Sequence, residues 1–142
     1  MLAGSYVLDE IAPDDELSIG PFQLFTALLP HPRPNLGFRI NAKARSMVYT
    51  GDCGPSDELI HLSDGANLLL AEASYAEAVP PEVIGSLSSA ADVGQEAAGS
   101  GVERLVLTHL MPNTNETGAT AAAARHFASG ITVARPGLVV EV

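Results

Sequence analysis

The sequence predicts an α/β layered fold on a mixed β-sheet. Three observations carry that expectation. Short apolar stretches of strand length dominate from Ser5 to Thr50; from Asp52 onward strands alternate with helical segments. Two later strands, Asn67 to Ala71 and Arg104 to Thr108, are nearly continuous apolar runs, as expected of strands covered on both faces. With 142 residues, of which 46% are hydrophobic and 17% charged, the chain has the length and composition of one globular domain, 1–142.

Taken in order, Ser5 to Leu8 and Phe22 to Leu29 read as two strands joined by the acidic, Pro- and Gly-marked loop Ala12 to Pro21. Pro30, Pro32 and Pro34 then remove amide donors and restrict the residues before them, so His31 must lie on an extended loop. Leu36 to Ile40 and Ser46 to Thr50 suggest a hairpin with Asn41 to Arg45 as a five-residue connection. Thr50-Gly-Asp-Cys-Gly-Pro55 ends the second strand abruptly. Ser56 can cap the next helix, with Asp57 and Glu58 in the first turn where the helix dipole favours negative charge; Leu59, Ile60 and Leu62 are its buried positions and Gly65 stops it. After the strand Asn67 to Ala71, a Pro-, Gly- and Ser-containing connection from Ser74 to Ser89 leads to the helix Ala90 to Ser100. The strand Arg104 to Thr108, a loop Asn113 to Gly118, the helix Ala119 to Ser129, and closing strands Ile131 to Val133 and Leu138 to Val142 complete the pattern.

Composition excludes several classes of function. Seven Lys plus Arg against seventeen Asp plus Glu give a formal charge of −10, and the basic residues Arg33, Arg39, Lys43, Arg45, Arg104, Arg125 and Arg135 are scattered. Strong unaided nucleic-acid binding, which needs clustered cations on phosphates, is not expected. The single cysteine, Cys53, excludes an intramolecular disulfide and a Cys-rich zinc site, and fits a reducing cytoplasm. No basic region followed by an apolar stretch opens the chain and no apolar run is long enough to span a bilayer, so a cytoplasmic protein without a membrane partner is expected.

Three polar residues each stand just after an apolar strand: His31, Asp52 and His109. Strand ends along one sheet edge converge, and imidazole, carboxylate and imidazole together suit zinc, manganese or iron. Taken singly, a histidine at a strand end is more often an exposed or hydrogen-bonded residue, and Gly-Asp-Cys-Gly-Pro is equally a turn. Spacing leaves both readings open. Glu72 interrupts the end of an apolar strand, where a buried carboxylate needs a partner; a ligand or catalytic histidine and a plain salt bridge are both open. Cys53 reads as a core thiol rather than a nucleophile, since nothing local lowers its pKa, and His61 and His126 read as structural or exposed.

The runs Leu29-Pro-His-Pro-Arg-Pro-Asn-Leu-Gly-Phe-Arg-Ile40, Val48-Tyr-Thr-Gly-Asp-Cys-Gly-Pro-Ser56, Leu70-Ala-Glu-Ala-Ser-Tyr75 and Arg104-Leu-Val-Leu-Thr-His-Leu-Met-Pro112 resemble, in the same order, the second half of ribonuclease Z-like hydrolases of the metallo-β-lactamase superfamily. The branch they resemble most includes cyclic-nucleotide phosphodiesterases. The resemblance implies the C-terminal half of an αββα sandwich, a mixed sheet with helices on one face. It implies metal ligation by His31, Asp52 and His109, with Asp52 bridging two divalent metals, zinc foremost. Glu72 is implied to orient a catalytic histidine. The implied reaction is attack by a metal-bound hydroxide on a phosphodiester or related small ester.

Two departures from that pattern matter. The family's first ligand motif, His-x-His-x-Asp-His, does not occur in the sequence, so three ligands would serve two metals, fewer than the usual three per catalytic zinc, and tight binding of a metal pair is not expected. Where the family places a catalytic histidine before its next helix, this sequence has Ser86 or Leu87. A hydrolase incomplete as it stands, or a non-catalytic remnant kept as a binding module, is the resulting expectation. One half of a sandwich exposes an apolar sheet face, which implies self-association or a missing N-terminal half as partner.

Overall fold

The computed structural model describes residues 7–142. One sheet of seven strands runs in simple sequence order: β1 (Glu16–Ile19), β2 (Phe22–Leu29), β3 (Asn35–Ala42), β4 (Arg45–Tyr49), β5 (Leu68–Glu72), β6 (Arg104–Thr108) and β7 (Gly130–Val133). The first three pairings are antiparallel and the last three parallel. The change follows from the connections, since tight turns join antiparallel neighbours whereas a crossover helix returns the chain parallel. Helix α1 (Asp57–Ser63) precedes β5, α2 (Ala90–Ser100) precedes β6 and α3 (Glu116–Ala124) precedes β7. The helices pack side by side on one face, α1 over β2 to β4, α2 over β5 and β6, and α3 against β7.

Register sorts the side chains. A row Phe25, Arg39, Val48, Leu69, Leu105 and Ile131 crosses the sheet beneath the helices, and Val48, Leu69 and Leu105 in it are fully buried. With Leu59 of α1, Val93 and Ala97 of α2, and Ala119, Ala122 and Ala123 of α3, they form the core. The opposite face carries Thr26, Phe38, Tyr49, Leu70, Val106 and Thr132 in one row, and Leu17, Leu24, Ile40, Met47 and Leu68 in the next. No described helix covers that face, and Phe22, Leu28 and Tyr49 on it are exposed.

The helices begin where capping chemistry places them. Ser56 accepts from the Leu59 N–H at α1, and Ser89 with Asp92 forms a reciprocal capping box at α2. Five expectations are corrected. Val7 and Leu8, the described part of the first expected strand, are not strand and are exposed; Ser5 and Tyr6 lie outside the described residues. The edge strand β1 sits inside the expected loop, because buried Thr26 takes the Asp15 N–H and donates to the Ala12 carbonyl, drawing that segment onto β2. The hairpin turn is only Lys43-Ala44, with Ala42 already paired to Arg45. Residues 138–142 form no strand, and α3 starts at Glu116 because Asn115 caps it, within the expected loop.

Candidate metal centre

The parallel strands β4, β5 and β6 end side by side, and their C-terminal edge is where an open α/β sheet presents a crevice. Asp52 follows β4, Glu72 is the last residue of β5, and His109 follows β6. Among the described residues these three form the one group in which a ligand atom from each of three His, Cys, Asp or Glu residues lies within 4.8 Å of the others. His109 Nε2 stands 3.8 Å from Asp52 Oδ1, and both side chains are about half exposed, at 44% and 48%. His109 Nδ1 stands 3.4 Å from Glu72 Oε2, and Glu72 is buried.

Local backbone chemistry sets these positions. Gly51 has φ of +62°, and a side chain there would run into Asn35, whose amide donates to the Thr50 carbonyl; glycine lets the chain turn sharply out of β4 and present Asp52. Thr50 Oγ1 accepts from the Glu72 N–H, tying the two strand ends together. His109 adopts φ of +60°, a left-handed conformation that costs a non-glycine residue about 1 kcal/mol or more. Strain of this kind clusters at functional sites. It turns the imidazole back over the sheet edge toward Glu72 and Asp52.

Glu72 is well supplied with donors for a buried carboxylate. Ser88 N–H donates to Oε1 at 2.6 Å and the Ser74 hydroxyl to Oε2 at 3.3 Å. Burial pushes its pKa up, and the Ser88 amide, the nearby His109 and Ser74 pull it back in that order. The Ser74 oxygen also lies 3.0 Å from His109 Nδ1. Ser74 and Ser88 were passed over in the sequence, where serines in a Pro/Gly connection carry no signal; the only available one is that Ser74 stands two residues beyond Glu72.

His31 stands outside the group. Its Nδ1 faces the Ser86 carbonyl at 3.0 Å, and it lines a separate open cleft of about 700 Å³ with Pro13, Leu28, Pro30 and Glu58. The Pro30 carbonyl accepts from the Gly54 N–H, so the His31 loop is nonetheless tied to the loop that carries Asp52. Ser86 and Leu87 bring no ionisable side chain to the edge. Cys53 is buried, and burial above all pushes its thiol up to about 12, with Glu96 adding to the effect, so it cannot supply a thiolate.

The donors fit a divalent ion. Two ligands each about 2.1 Å from one zinc stand no more than about 4.2 Å apart, and Asp52 Oδ1 and His109 Nε2 meet that at 3.8 Å. Carboxylate and imidazole are its usual ligands.

This sheet with its one-sided helices and its carboxylate-histidine edge defines a class. Residues 4–110 match the model of the β-lactamase superfamily domain, and the chain belongs to that superfamily, within its metallo-β-lactamase-fold hydrolases. Among individual proteins, it is 33% identical over 107 residues to a protein of Mycobacterium tuberculosis, spanning 73% of this chain and 38% of that one. It is 33% identical over 101 residues to ribonuclease Z of Methanothermobacter thermautotrophicus, spanning 70% of this chain and 33% of that one. The crystal structure of the metallo-β-lactamase-fold protein YhfI from Bacillus subtilis superposes with a TM-score of 0.84 at 26% identity, over 90% of this chain and 53% of that one. The chain thus spans between a third and about half the length of these relatives. No helix among the described residues is long and apolar enough to cross a membrane.

Proposed function

We propose that the chain carries the C-terminal part of a divalent-metal-dependent hydrolase acting on a phosphodiester or related small ester. The observation that carries this reading is the pairing of Asp52 Oδ1 with His109 Nε2 at 3.8 Å on the C-terminal sheet edge, both open to solvent, in a chain of this superfamily. Asp52 and His109 hold the ion, zinc foremost and manganese or iron as alternatives. Glu72 stays behind them, held by Ser88 and Ser74, and its charge orients His109. A divalent ion there supplies Lewis acidity and a water of lowered pKa. His31, on the loop tied to Gly54, is the further ligand once that loop turns its free nitrogen to the edge. The remaining ligands of a metal pair come from outside these residues, from a second chain or from the portion of the relatives this chain does not span. The domain 1–142 is on this reading a partial one, working in the cytoplasm.

A second reading, a non-catalytic module that keeps the scaffold, is favoured by Ser86 and Leu87, which leave no proton donor where the resemblance expects a histidine. Elemental analysis and zinc or manganese titration of the 142-residue chain, with hydrolysis of bis(p-nitrophenyl) phosphate, separate the two. The first reading expects at most one metal per chain, lost in Asp52→Ala and His109→Ala, and metal-dependent turnover only when the remaining ligands are supplied from a second chain or from the portion the relatives add, falling at least about 100-fold in both variants. Metal bound without turnover even after those ligands are supplied supports the second. No metal bound by any form, with the fold intact, overturns the first.

A further inference from the structure

We infer that Ser74 is a positioning residue that keeps the proton of neutral His109 on Nδ1, so that Nε2 presents its lone pair on the Asp52 side. The inference rests on the reading that His109 is a ligand, and gives that ligand its tautomer. Ser74 is fully buried, and its hydroxyl sits between two groups with opposite needs. The Ser74 hydroxyl donates to Glu72 Oε2 at 3.3 Å, beside the Ser88 N–H that donates to Oε1 at 2.6 Å. The Ser74 oxygen is then left as an acceptor, and the atom 3.0 Å away is His109 Nδ1, which must therefore bring the hydrogen. Glu72 Oε2 lies 3.4 Å from the same Nδ1 and selects the same way, since an unprotonated Nδ1 would set a lone pair against a carboxylate oxygen.

The serine cannot drift from this post. Its carbonyl accepts from the Met111 N–H at 3.0 Å and the Thr114 hydroxyl at 2.9 Å, and the neighbouring Ala73 N–H donates to the Thr108 carbonyl at 2.8 Å. The segment after β5 and the segment after β6 are thereby fastened on both sides of His109, the residue held at φ of +60°. Two hydrogen bonds from a buried carboxyl group through a hydroxyl to a ring nitrogen fix tautomer and ring orientation together, the arrangement that raises a ligand's basicity.

The test reads the tautomer directly, without metal. In chelator-treated protein with ¹⁵N-labelled histidine, at about pH 8, the His109 signals, assigned against His109→Gln, should show a protonated Nδ1 and a bare Nε2. Ser74→Ala should move the ring toward a mixture of tautomers, and Ser74→Thr, which keeps the hydroxyl, should restore the wild-type pattern. Zinc affinity should fall about 10- to 100-fold in Ser74→Ala. A wild-type ring protonated on Nε2 overturns the inference, as does a folded Ser74→Ala with an unchanged Nδ1–H; the wild-type spectrum alone decides if the variant does not fold. Because the spectrum is taken without an ion, failure of the chain to bind metal would overturn the proposed function while leaving this observation separately readable.

Discussion

At the scale of single residues, chemistry here is decided by burial more than by identity. Asp52 and His109 are half exposed and free to meet an ion, whereas Cys53, next in sequence to Asp52, is sealed, with its thiol pushed up to about 12 by burial and by neighbouring carboxylates. Iodoacetamide at about pH 8 should therefore leave the folded chain unmodified and label Cys53 only as denaturant unfolds it, with modification followed by mass spectrometry. Rapid alkylation of the native protein would sink this account and revive a thiol nucleophile. Asp52, Glu72 and His109 could each be singled out because each interrupts or ends an apolar strand, but the grouping expected from converging strand ends was His31, Asp52 and His109, with Glu72 apart, and the cluster holds Glu72 in place of His31. The distances within the cluster were not legible, since these depend on Gly51 and on the left-handed His109. Neither backbone choice shows in residue type alone. The turning of His31 toward the Ser86 carbonyl was equally invisible, as it joins positions 55 apart in sequence.

At the scale of elements, α2 is the keystone, lying between α1 and α3 and over the parallel strands. Its Glu96 accepts from the Ser56 N–H at 2.8 Å and so helps to anchor the start of α1, but its second oxygen is buried with no partner among the described residues. Burial, opposed by the Ser56 amide and reinforced by Asp92, raises its pKa from 4.5 to about 7. An acid whose pKa is raised by folding binds its proton more tightly in the native state. Its stabilising contribution is thus complete below about pH 4.5 and is lost as pH rises to about 7. Glu96→Gln keeps the acceptor for Ser56 and removes the titration, so urea unfolding should show the variant gaining on wild type across that window, by on the order of 3 kcal/mol at most. Parallel stability curves for the two proteins from about pH 4 to about pH 8 would refute it. Gly94 on the same helix lets α3 approach closely: an added Cβ would lie 2.5 Å from the Ala123 carbonyl oxygen. Gly94→Ala should therefore cost about 1–3 kcal/mol by overpacking despite its better helix propensity, and a stabilised variant in thermal melts would contradict the close crossing. The bounds of α2 were readable as Ala90 to Ser100, after the Pro-, Gly- and Ser-containing connection, and the structure adds that Ser89 caps the helix and Gly101 ends it. Edge strand β1 was not, because a four-residue strand gains its place from Thr26 on its neighbour rather than from its own pattern.

At the scale of the whole molecule, the unbalanced distribution of apolar surface has the larger consequence. The helix side of the sheet is closed, while the other side has no covering helix among the described residues and leaves Leu24, Phe38, Ile40, Met47 and Leu70 half-buried and Tyr49 exposed in adjoining rows. Apolar patches beyond a few hundred Å² are uncommon on free-standing domains and usually mark a contact surface. The superposed YhfI chain is about twice as long as the part matched here, so this face has room for a further layer. Taken alone, the chain should bind a hydrophobic dye and associate through this face. The formal charge of −10 opposes association at low ionic strength, and salt screens that repulsion while leaving apolar attraction in place. Sedimentation should therefore show the weight-average mass rising with sodium chloride. Phe38→Asp, in the middle of the open face and away from the helix-side core, should abolish most of the association and reduce dye binding several-fold, with little change in the helical circular dichroism signal. A strictly monomeric wild type that excludes the dye at every salt concentration would mean that this face is covered by the chain's own residues, and that the fold closes on itself without a second layer.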